Sequence, residues 1–472
     1  MLARRAPALA VLAVAGLAVL WRLPFWNAPL TADEGGYSVV ARLWAQGRTL
    51  YDGAWVDRPQ GLILVFRTLH FLGVDSVEAI RATAAGVAVL VVLTTMLVTL
   101  RLARETITAL AAGLLAATVG ASPFIEGFTL SSELLASLPA ALSLLAFVLY
   151  LERRRPGWLV LAGLLTGCAV LVRQSAFDAG LAALAYLLWR ERRRGLLPAA
   201  ALVTSAFVPV AAAAASASSF HRWWFAVVGY RGTGDSLLTG SPLHRLSQFW
   251  DSAPLFAAGL GLLLLLAGLG WRRSPLLARL WLGAAVLGVL GGGNFHPHYY
   301  LQLVPPLSLL GALGLVRLLS EPRPAVRAVT VAAAVATLAW TVPLWLASPS
   351  AQAKRIWPHD PHLRTDGAVA RYVRAHTRPG DRILALWAAA DLYDLSGREP
   401  AVRYLWWRNI QTIDGALGEV RTAIAQRRAA LVVAVQRPDS LDPSGTTQRL
   451  LLAGYRRVAL VEGVPVYGAK SR

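Results

Sequence analysis

The stretch that decides how this chain is interpreted is NAPLTADEGGYSVVARLWAQGRTLYDGAWVDRPQG, residues 27–61, which follows the first long apolar segment. Its acidic residues are Asp33, Glu34, Asp52 and Asp57. Arg58 adjoins the last of them. Charged side chains near a hydrocarbon layer are costly, and they often mark a functional site. The meaning of this stretch therefore depends on whether the rest of the chain spans a membrane.

The composition is that of a multi-span membrane protein. Of the 472 residues, 56% are hydrophobic and only 15% are charged, whereas about 25% of an ordinary soluble domain is charged. A helix needs about 20 apolar residues to cross a bilayer, and apolar runs near that length recur up to residue 347. Eleven spans are predicted, at residues 6–23, 79–100, 107–121, 132–151, 158–173, 176–189, 196–217, 253–270, 276–292, 300–317 and 325–347.

Arginine clusters occupy every second gap between these segments. They precede the first span and follow the second, fourth, sixth, eighth and tenth. Because basic residues are enriched in cytoplasmic loops, these gaps and the N-terminus are predicted to lie in the cytoplasm. The same distribution accounts for the net charge of +20 without a nucleic-acid partner. We therefore expect a multi-pass protein of the cytoplasmic membrane, surrounded by membrane lipids.

Because each span carries the chain across the membrane, the long first loop, residues 24–78, is predicted to lie on the side opposite the cytoplasm and is called the first outer loop. Within it, segment 62–72 is short and carries Arg67 and His70, so it is predicted to be an interfacial helix rather than a span. Segment 35–46 has apolar residues at helical spacing and is predicted to be another.

The C-terminal part of the chain, residues 348–472, changes character. Helical stretches such as ARYVRAH alternate with strand-like stretches such as DRILALW and AALVVAV. This alternation predicts a small α/β domain that follows a transmembrane domain at residues 1–347. By parity the small domain is extracytoplasmic.

Two kinds of site are not expected. Cys168 is the only cysteine and lies inside an apolar run, so neither a disulfide nor a thiolate metal site is predicted. The chain also lacks a Walker loop and a dinucleotide glycine fingerprint, so a nucleotide held by those devices is not predicted.

Each candidate residue of the first outer loop has a structural and a functional interpretation. Asp33 and Glu34 suit the cap and first turn of a helix, and a carboxylate there also suits a general base for a hydroxyl group. Asp57 and Arg58 could form a plain surface ion pair, whereas the guanidinium fork of Arg58 also suits a lipid phosphate.

Further candidates lie at the outer ends of later spans. Arg173 either snorkels to the interface or serves as a second phosphate ligand. Glu133 either faces its own helix dipole or adds a second carboxylate to the site. His296, His298 and Tyr299, in NFHPHYY, form an aromatic belt, or they bind a metal, a proton, or a sugar and phosphate.

These motifs, in the order ADEGGY, DRPQG and HYYLQLVPPLSLL, resemble those of the GT-C membrane glycosyltransferases. The resemblance is to the family 39 and dolichyl-phosphate-mannose mannosyltransferase type, which includes the aminoarabinose transferase acting on lipid A. It covers residues 1 to about 345. It implies an α-helical polytopic GT-C fold of about eleven spans, to which the small C-terminal extracytoplasmic α/β domain is attached.

The resemblance also implies roles for individual residues. Asp33 matches the aspartate of the first loop that is proposed as catalytic, beside Glu34, and Tyr37 matches a tyrosine that lines the site. Arg58 stands where relatives often have lysine in a KPP-like motif, so the charge that contacts the lipid phosphate is kept. Arg173 matches no motif of the family, and its expected role as a second phosphate ligand rests on its position at the outer end of a span.

The remaining matches concern the donor and a metal. His298 and Tyr299 match the HYY of bacterial members and are expected to bind the donor. Asp57 matches an acidic position that holds a metal in some relatives, and Glu133 and His296 are its candidate co-ligands for a divalent ion.

The predicted activity is transfer of a hexose or pentose from a polyprenyl-phosphate donor to a hydroxyl group at the outer face of the membrane. The acceptor is a glycan, a lipid or a protein, Asp33 is the base, and the anomeric carbon is inverted. Two alternatives stay open: a transporter or flippase of a lipid or glycan, and an inactive relative that senses a lipid-linked glycan.

Overall fold

The computed structural model describes residues 2–232, 241–320, 324–387 and 389–470. Helices dominate its first three quarters: α1 (Leu2–Leu20), α2 (Ala32–Ala45), α3 (Gln60–Phe71), α4 (Val77–Ala103), α5 (Thr106–Val119), α6 (Ser132–Arg153), α7 (Pro156–Val172), α8 (Asp178–Tyr186), α9 (Leu196–Ser216), α10 (Phe220–Val227), α11 (Pro242–Gly270), α12 (Leu276–Gly292), α13 (Val304–Ser320) and α14 (Pro324–Trp345). Short 3-10 turns at Pro123–Ile125, Gly229–Gly232 and Pro297–Leu303 lie between some of these helices.

Each predicted span coincides with a helix of this series, namely α1, α4 to α9 and α11 to α14. Among the described residues, seven helical stretches are long and apolar enough to cross a membrane, and three shorter apolar helices accompany them. One of the seven, Asp178–Ser216, corresponds to two of the predicted spans. It consists of α8 and α9, which irregular turns at 187–195 separate. The polytopic helical architecture is therefore confirmed, and the number of eleven crossings stays a prediction.

The two ends of the helix bundle differ as the arginine pattern predicts. Three of the arginine-rich gaps meet at one end, where Arg101 contacts Glu152 at 3.0 Å and Arg154 contacts Glu191 at 2.6 Å. The polar connections that follow α1, α5, α7, α9 and α12 meet at the other end. Which end faces the cytoplasm stays a prediction from the charges.

The segments predicted to be interfacial are both helices, α2 and α3, within the first outer loop. Helix α2 begins with a capping box, in which the Thr31 hydroxyl accepts from the Glu34 N–H and the Glu34 carboxylate accepts from the Thr31 N–H. Helix α3 begins directly after Pro59 of the DRPQG motif. Their position at a membrane surface stays a prediction.

The predicted C-terminal α/β arrangement is present. Its helices are α15 (Pro349–Ile356), α16 (Asp366–Ala375), α17 (Ala390–Ser396), α18 (Trp407–Thr412), α19 (Ala416–Ala425) and α20 (Thr446–Gly454). Its strands are β1 (Arg382–Leu386), β2 (Glu399–Pro400), β3 (Leu431–Ala434), β4 (Tyr455–Val461) and β5 (Val464–Ala469). The sheet order is β2-β1-β3-β5-β4, with β1 parallel to β2 and β3, and β5 antiparallel to β3 and β4. The apolar runs of β1 and β3 are buried, as central parallel strands require.

The small domain packs directly on the first outer loop through the two glycines of ADEGGY. A Cβ atom at Gly35 would lie 2.4 Å from the Cα of Asp391 in α17, and one at Gly36 would lie 2.4 Å from the Trp406 ring. Only glycine allows the backbone of Asp391 and the ring of Trp406 to approach α2 so closely. The Ser38 hydroxyl donates to Asp394 at 2.8 Å and fixes the same interface.

A buried ion pair joins the first outer loop to the helix bundle. Glu34, which is 1% exposed, pairs with Arg81 at the start of α4, and it also accepts from the Leu130 N–H at 2.8 Å. Arg81 in turn donates to the Pro29 carbonyl at 2.8 Å. The carboxylate thus connects α2, α4 and the segment that precedes α6.

Replacing Arg81 with alanine leaves the Glu34 charge buried without its cation, and we expect unfolding to become easier by about 3–5 kcal/mol. The matched control is Arg101→Ala, which removes an exposed ion pair worth about 0–1 kcal/mol. Thermal and denaturant unfolding of both variants in detergent measures the difference. Equal stability of the two variants would contradict this role for Arg81.

Candidate active site

A chain of hydrogen bonds links a carboxylate to a guanidinium at the outer-loop end of the bundle. Asp33 and Tyr37 are one helical turn apart in α2 and share a face. The Tyr37 hydroxyl donates to Asp33 Oδ2 at 3.0 Å and accepts from Arg58 Nε at 3.1 Å. Trp406, from the small domain, donates from its indole nitrogen to Asp33 Oδ1 at 3.1 Å. These two hydrogen bonds orient the Asp33 carboxylate from both sides. The residue is only half-buried, so the carboxylate is still accessible.

Asp57 lies between two arginines. Its Oδ2 atom is 2.6 Å from Arg58 Nη1 and 2.9 Å from Arg231 Nη2. Burial would raise the pKa of Asp57, but the two guanidinium groups outweigh burial and hold that pKa below its usual range. Asp57 therefore stays an anion that holds both arginines in place. No described residue accepts a hydrogen bond from the remaining Arg58 nitrogen, Nη2.

A second cluster of charges surrounds Arg173, in the turn between α7 and α8. Its guanidinium pairs with Glu133 at the start of α6 and lies 4.1 Å above the Tyr299 ring. The Arg173 Nε also donates to the Ser175 hydroxyl at 2.9 Å. The ring and the carboxylate together hold a cation in place at the ends of three helices.

His298 and Tyr299 connect the two clusters. His298 Nδ1 is 3.1 Å from Glu126 Oε2, and its Nε2 is 3.7 Å from Glu133 Oε1. Tyr299 is close enough to Arg58 and to Arg231 to interact electrostatically with both. The HYY motif therefore belongs to the same site as the first outer loop.

The DRPQG motif is brought to this site by a close backbone approach. A Cβ atom at Gly61 would lie 2.6 Å from the Leu171 carbonyl oxygen, two residues before Arg173. The Gln174 side chain donates to the Asp57 carbonyl at 3.1 Å across the same contact. The two predicted phosphate-binding arginines are thus held on neighbouring segments.

Glu34 does not share the environment of Asp33. Its carboxylate is buried and is engaged by Thr31, Arg81 and the Leu130 N–H. These contacts give it a positioning role behind the site, in contrast with the half-buried Asp33. Adjacent residues on a helix point about 100° apart, which explains why Glu34 is buried while Asp33, next to it, stays accessible.

The predicted metal ligands do not form a cluster. In the described part of the chain, no set that includes Asp57, Glu133 or His296 brings three ligand atoms within 4.8 Å of one another. Asp57 and Glu133 are each neutralised by arginine, and His296 is exposed. This donor set does not fit a divalent ion, so no chemical step is assigned to a metal here.

Sequence reasoning missed two members of the site. Trp406 is 373 residues from Asp33 and lies in a different structural unit, so nothing in the local pattern links them. Arg231 follows α10 in a loop whose sequence offered no motif. The signal for Trp406 was indirect: two adjacent glycines in a helix indicate that another segment packs closely there.

Comparisons with known proteins agree with this architecture. Residues 69–218, less than half of the chain, match the family model described as dolichyl-phosphate-mannose-protein mannosyltransferase. No curated protein sequence gives a significant match.

Solved structures match over almost the whole chain. ArnT from Cupriavidus metallidurans bound to undecaprenyl phosphate has 17% identity and a TM-score of 0.65, over 99% of this chain and 100% of that one. The archaeal oligosaccharyltransferase AglB from Archaeoglobus fulgidus, in complex with an inhibitory peptide and a dolichol-phosphate, has 14% identity and a TM-score of 0.53, over 99% of this chain and 74% of that one.

A third structure is the arabinofuranosyltransferase AftD from Mycobacteria, with 19% identity and a TM-score of 0.52, over 99% of this chain and 40% of that one. These proteins are GT-C glycosyltransferases. The chain therefore has the GT-C fold, as its motifs predict.

Proposed function

We propose that this protein transfers a sugar from a polyprenyl-phosphate donor to an acceptor hydroxyl group. The observation that carries the proposal is the chain from Trp406 through Asp33 and Tyr37 to Arg58, which sets a carboxylate beside a cation. The fold supports it, since two structures with this fold hold undecaprenyl phosphate or dolichol-phosphate. A base for the hydroxyl group and a cation for the phosphate are the two groups that such a transfer needs.

The arginines bind the phosphate and stabilise it as it leaves. Arg58 and Arg231 share Asp57, and Arg173 lies over the Tyr299 ring. When the bond between the anomeric carbon and the phosphate oxygen breaks, the electron pair stays on the phosphate, and its negative charge grows. Cations held in advance by Asp57 and Glu133 stabilise that charge without reorganising.

Asp33 is the base. The acceptor oxygen forms a bond to the anomeric carbon, and its proton passes to the Asp33 carboxylate. Tyr37 and Trp406 each donate one hydrogen bond to this carboxylate, and every carboxylate oxygen has a second lone pair for the incoming hydroxyl. Attack from the face opposite the phosphate inverts the anomeric carbon.

The reaction is expected at the outer face of the cytoplasmic membrane. The polyprenyl tail stays in the bilayer while the phosphate meets the arginines, and the acceptor is a glycan, a lipid or a protein. A transporter would move the donor without cleaving its glycosidic bond, so turnover separates the two functions.

Purified protein in lipid vesicles, incubated with polyprenyl-phosphate hexoses and pentoses and with a membrane extract as acceptor, should transfer or hydrolyse at least one donor. Asp33→Asn should lower that rate by about 10²–10⁴-fold, because it removes the base. The matched control is Asp75→Asn, a half-buried carboxylate of the same loop that pairs with His70. Full activity of Asp33→Asn, or donor movement without bond cleavage, would contradict the proposal.

Arg58→Gln should weaken binding of a polyprenyl phosphate by about 10- to 100-fold, since a charge-assisted hydrogen bond contributes about 1.5–3 kcal/mol. Arg58→Lys should bind with an intermediate affinity, because the charge remains and the fork is lost. Binding is measured by fluorescence or calorimetry, with Arg67→Gln in the same loop as the control. If Arg58→Gln keeps the wild-type affinity, the phosphate lies elsewhere.

Trp406→Phe should lower kcat by about tenfold while donor affinity is kept, because it removes one hydrogen bond to Asp33 and leaves the arginines in place. Trp407→Phe changes the exposed neighbouring residue and is the matched control. Initial rates over a range of donor concentrations separate kcat from KM. Identical kinetics in the two variants would show that the small domain does not act on Asp33.

A further inference from the structure

A separate cluster of titratable groups, outside the candidate active site, lies inside the small domain behind its contact with α2. His362 is in a 3-10 turn at Pro361–Arg364, Asp366 begins α16 and Asp391 is the second residue of α17. The three residues are 8%, 1% and 1% exposed. Three separate segments thus bring an imidazole and two carboxyl groups together in the interior of the small domain.

The ligand atoms of this cluster converge. His362 Nδ1 is 2.5 Å from Asp366 Oδ2, and one ligand atom from each residue lies within 4.8 Å of the other two. Among the described residues, no donor reaches Asp366 Oδ1 or either oxygen of Asp391. The two carboxyl groups face each other, so a hydrogen bond between them requires a proton on one.

The lack of an arginine at this cluster separates it from three other buried carboxylates. Glu34 pairs with Arg81, Glu133 with Arg173, and Asp442 with Arg421. Within the described residues, neither Asp366 nor Asp391 forms an ion pair with lysine or arginine, and His362 is the only basic partner of Asp366. Two buried carboxylates without such a cation are strongly unfavourable unless another positive charge joins them.

We propose that His362, Asp366 and Asp391 bind a divalent transition-metal ion of the zinc class. One imidazole nitrogen and two carboxylate oxygens suit zinc, with water as a fourth ligand, whereas calcium and magnesium prefer all-oxygen sites. Bonds of about 2.0–2.2 Å separate tetrahedral ligands by roughly 3.3 Å, so the His362–Asp366 contact opens as the ion enters. The ion supplies the positive charge that arginine supplies to Glu34, Glu133 and Asp442.

The position of the cluster suggests that the ion maintains the site indirectly. The backbone of Asp391 touches α2 at Gly35, two residues after Asp33. Joining α16, α17 and the turn at residues 361–364 fixes the face of the small domain that packs on α2. The metal thus has a positioning role, and it takes no part in the chemistry at Asp33.

The test is the metal content of the full-length protein after its affinity tag has been removed. The protein is equilibrated with zinc, desalted exhaustively and analysed by mass spectrometry of the metal, and cobalt is substituted to record its visible spectrum. We expect one equivalent of zinc in the wild type, tetrahedral cobalt bands, and a higher unfolding temperature with zinc present. His362→Gln and Asp391→Asn should each lose all three features.

His376→Gln, which changes an exposed histidine of the same domain, is the matched control and should keep the metal. Wild-type protein without bound zinc or cobalt overturns the proposal even if a variant fails to fold. Retention of one equivalent by both variants overturns it as well, because the ion then binds elsewhere. These readouts do not depend on glycosyl transfer, so they test the metal site separately from the proposed function.

Discussion

The buried contact between Glu34 and Arg81 is the interaction on which the site depends. It fixes the start of α2 against α4 and, through the Leu130 N–H, against the segment that leads into α6. Asp33 precedes Glu34 in the same helical turn, so the Glu34–Arg81 ion pair also fixes the direction in which the Asp33 side chain points. A charge pair with so little exposure is expensive to disrupt, which makes it suitable for holding a polar loop at the end of an apolar bundle.

The site itself alternates carboxylates and guanidinium groups. Asp57 holds Arg58 and Arg231, and Glu133 holds Arg173, while Tyr37 and Tyr299 lie between the charges. In surroundings of low dielectric constant each contact is stronger than in water, so the arginines are oriented before any ligand arrives. Such preorganisation suits a phosphate whose charge increases during a reaction.

Much of this architecture could be predicted from the sequence. Apolar length and the spacing of arginines predicted the helices and which connections meet, because hydrophobicity and charge are local properties of the chain. The role of Glu34 could not be predicted, since it depends on a distant partner, Arg81. Trp406 and the His362 cluster were also missed, because both depend on contacts between segments that are separated in sequence. Trp406 reaches Asp33 through the packing of the small domain on α2, and the fold of the small domain itself brings Asp391 to His362 and Asp366.

The most direct test of the central claim is a cryo-electron microscopy structure of the protein in lipid with a bound polyprenyl phosphate. We expect phosphate density within hydrogen-bonding distance of the Arg58 guanidinium, on the side that faces Asp33 and Tyr299. We also expect the polyprenyl tail to run from there into the bilayer. A phosphate bound away from Arg58, Arg231 and Arg173, or no bound lipid at saturating concentration, would contradict the proposed phosphate site.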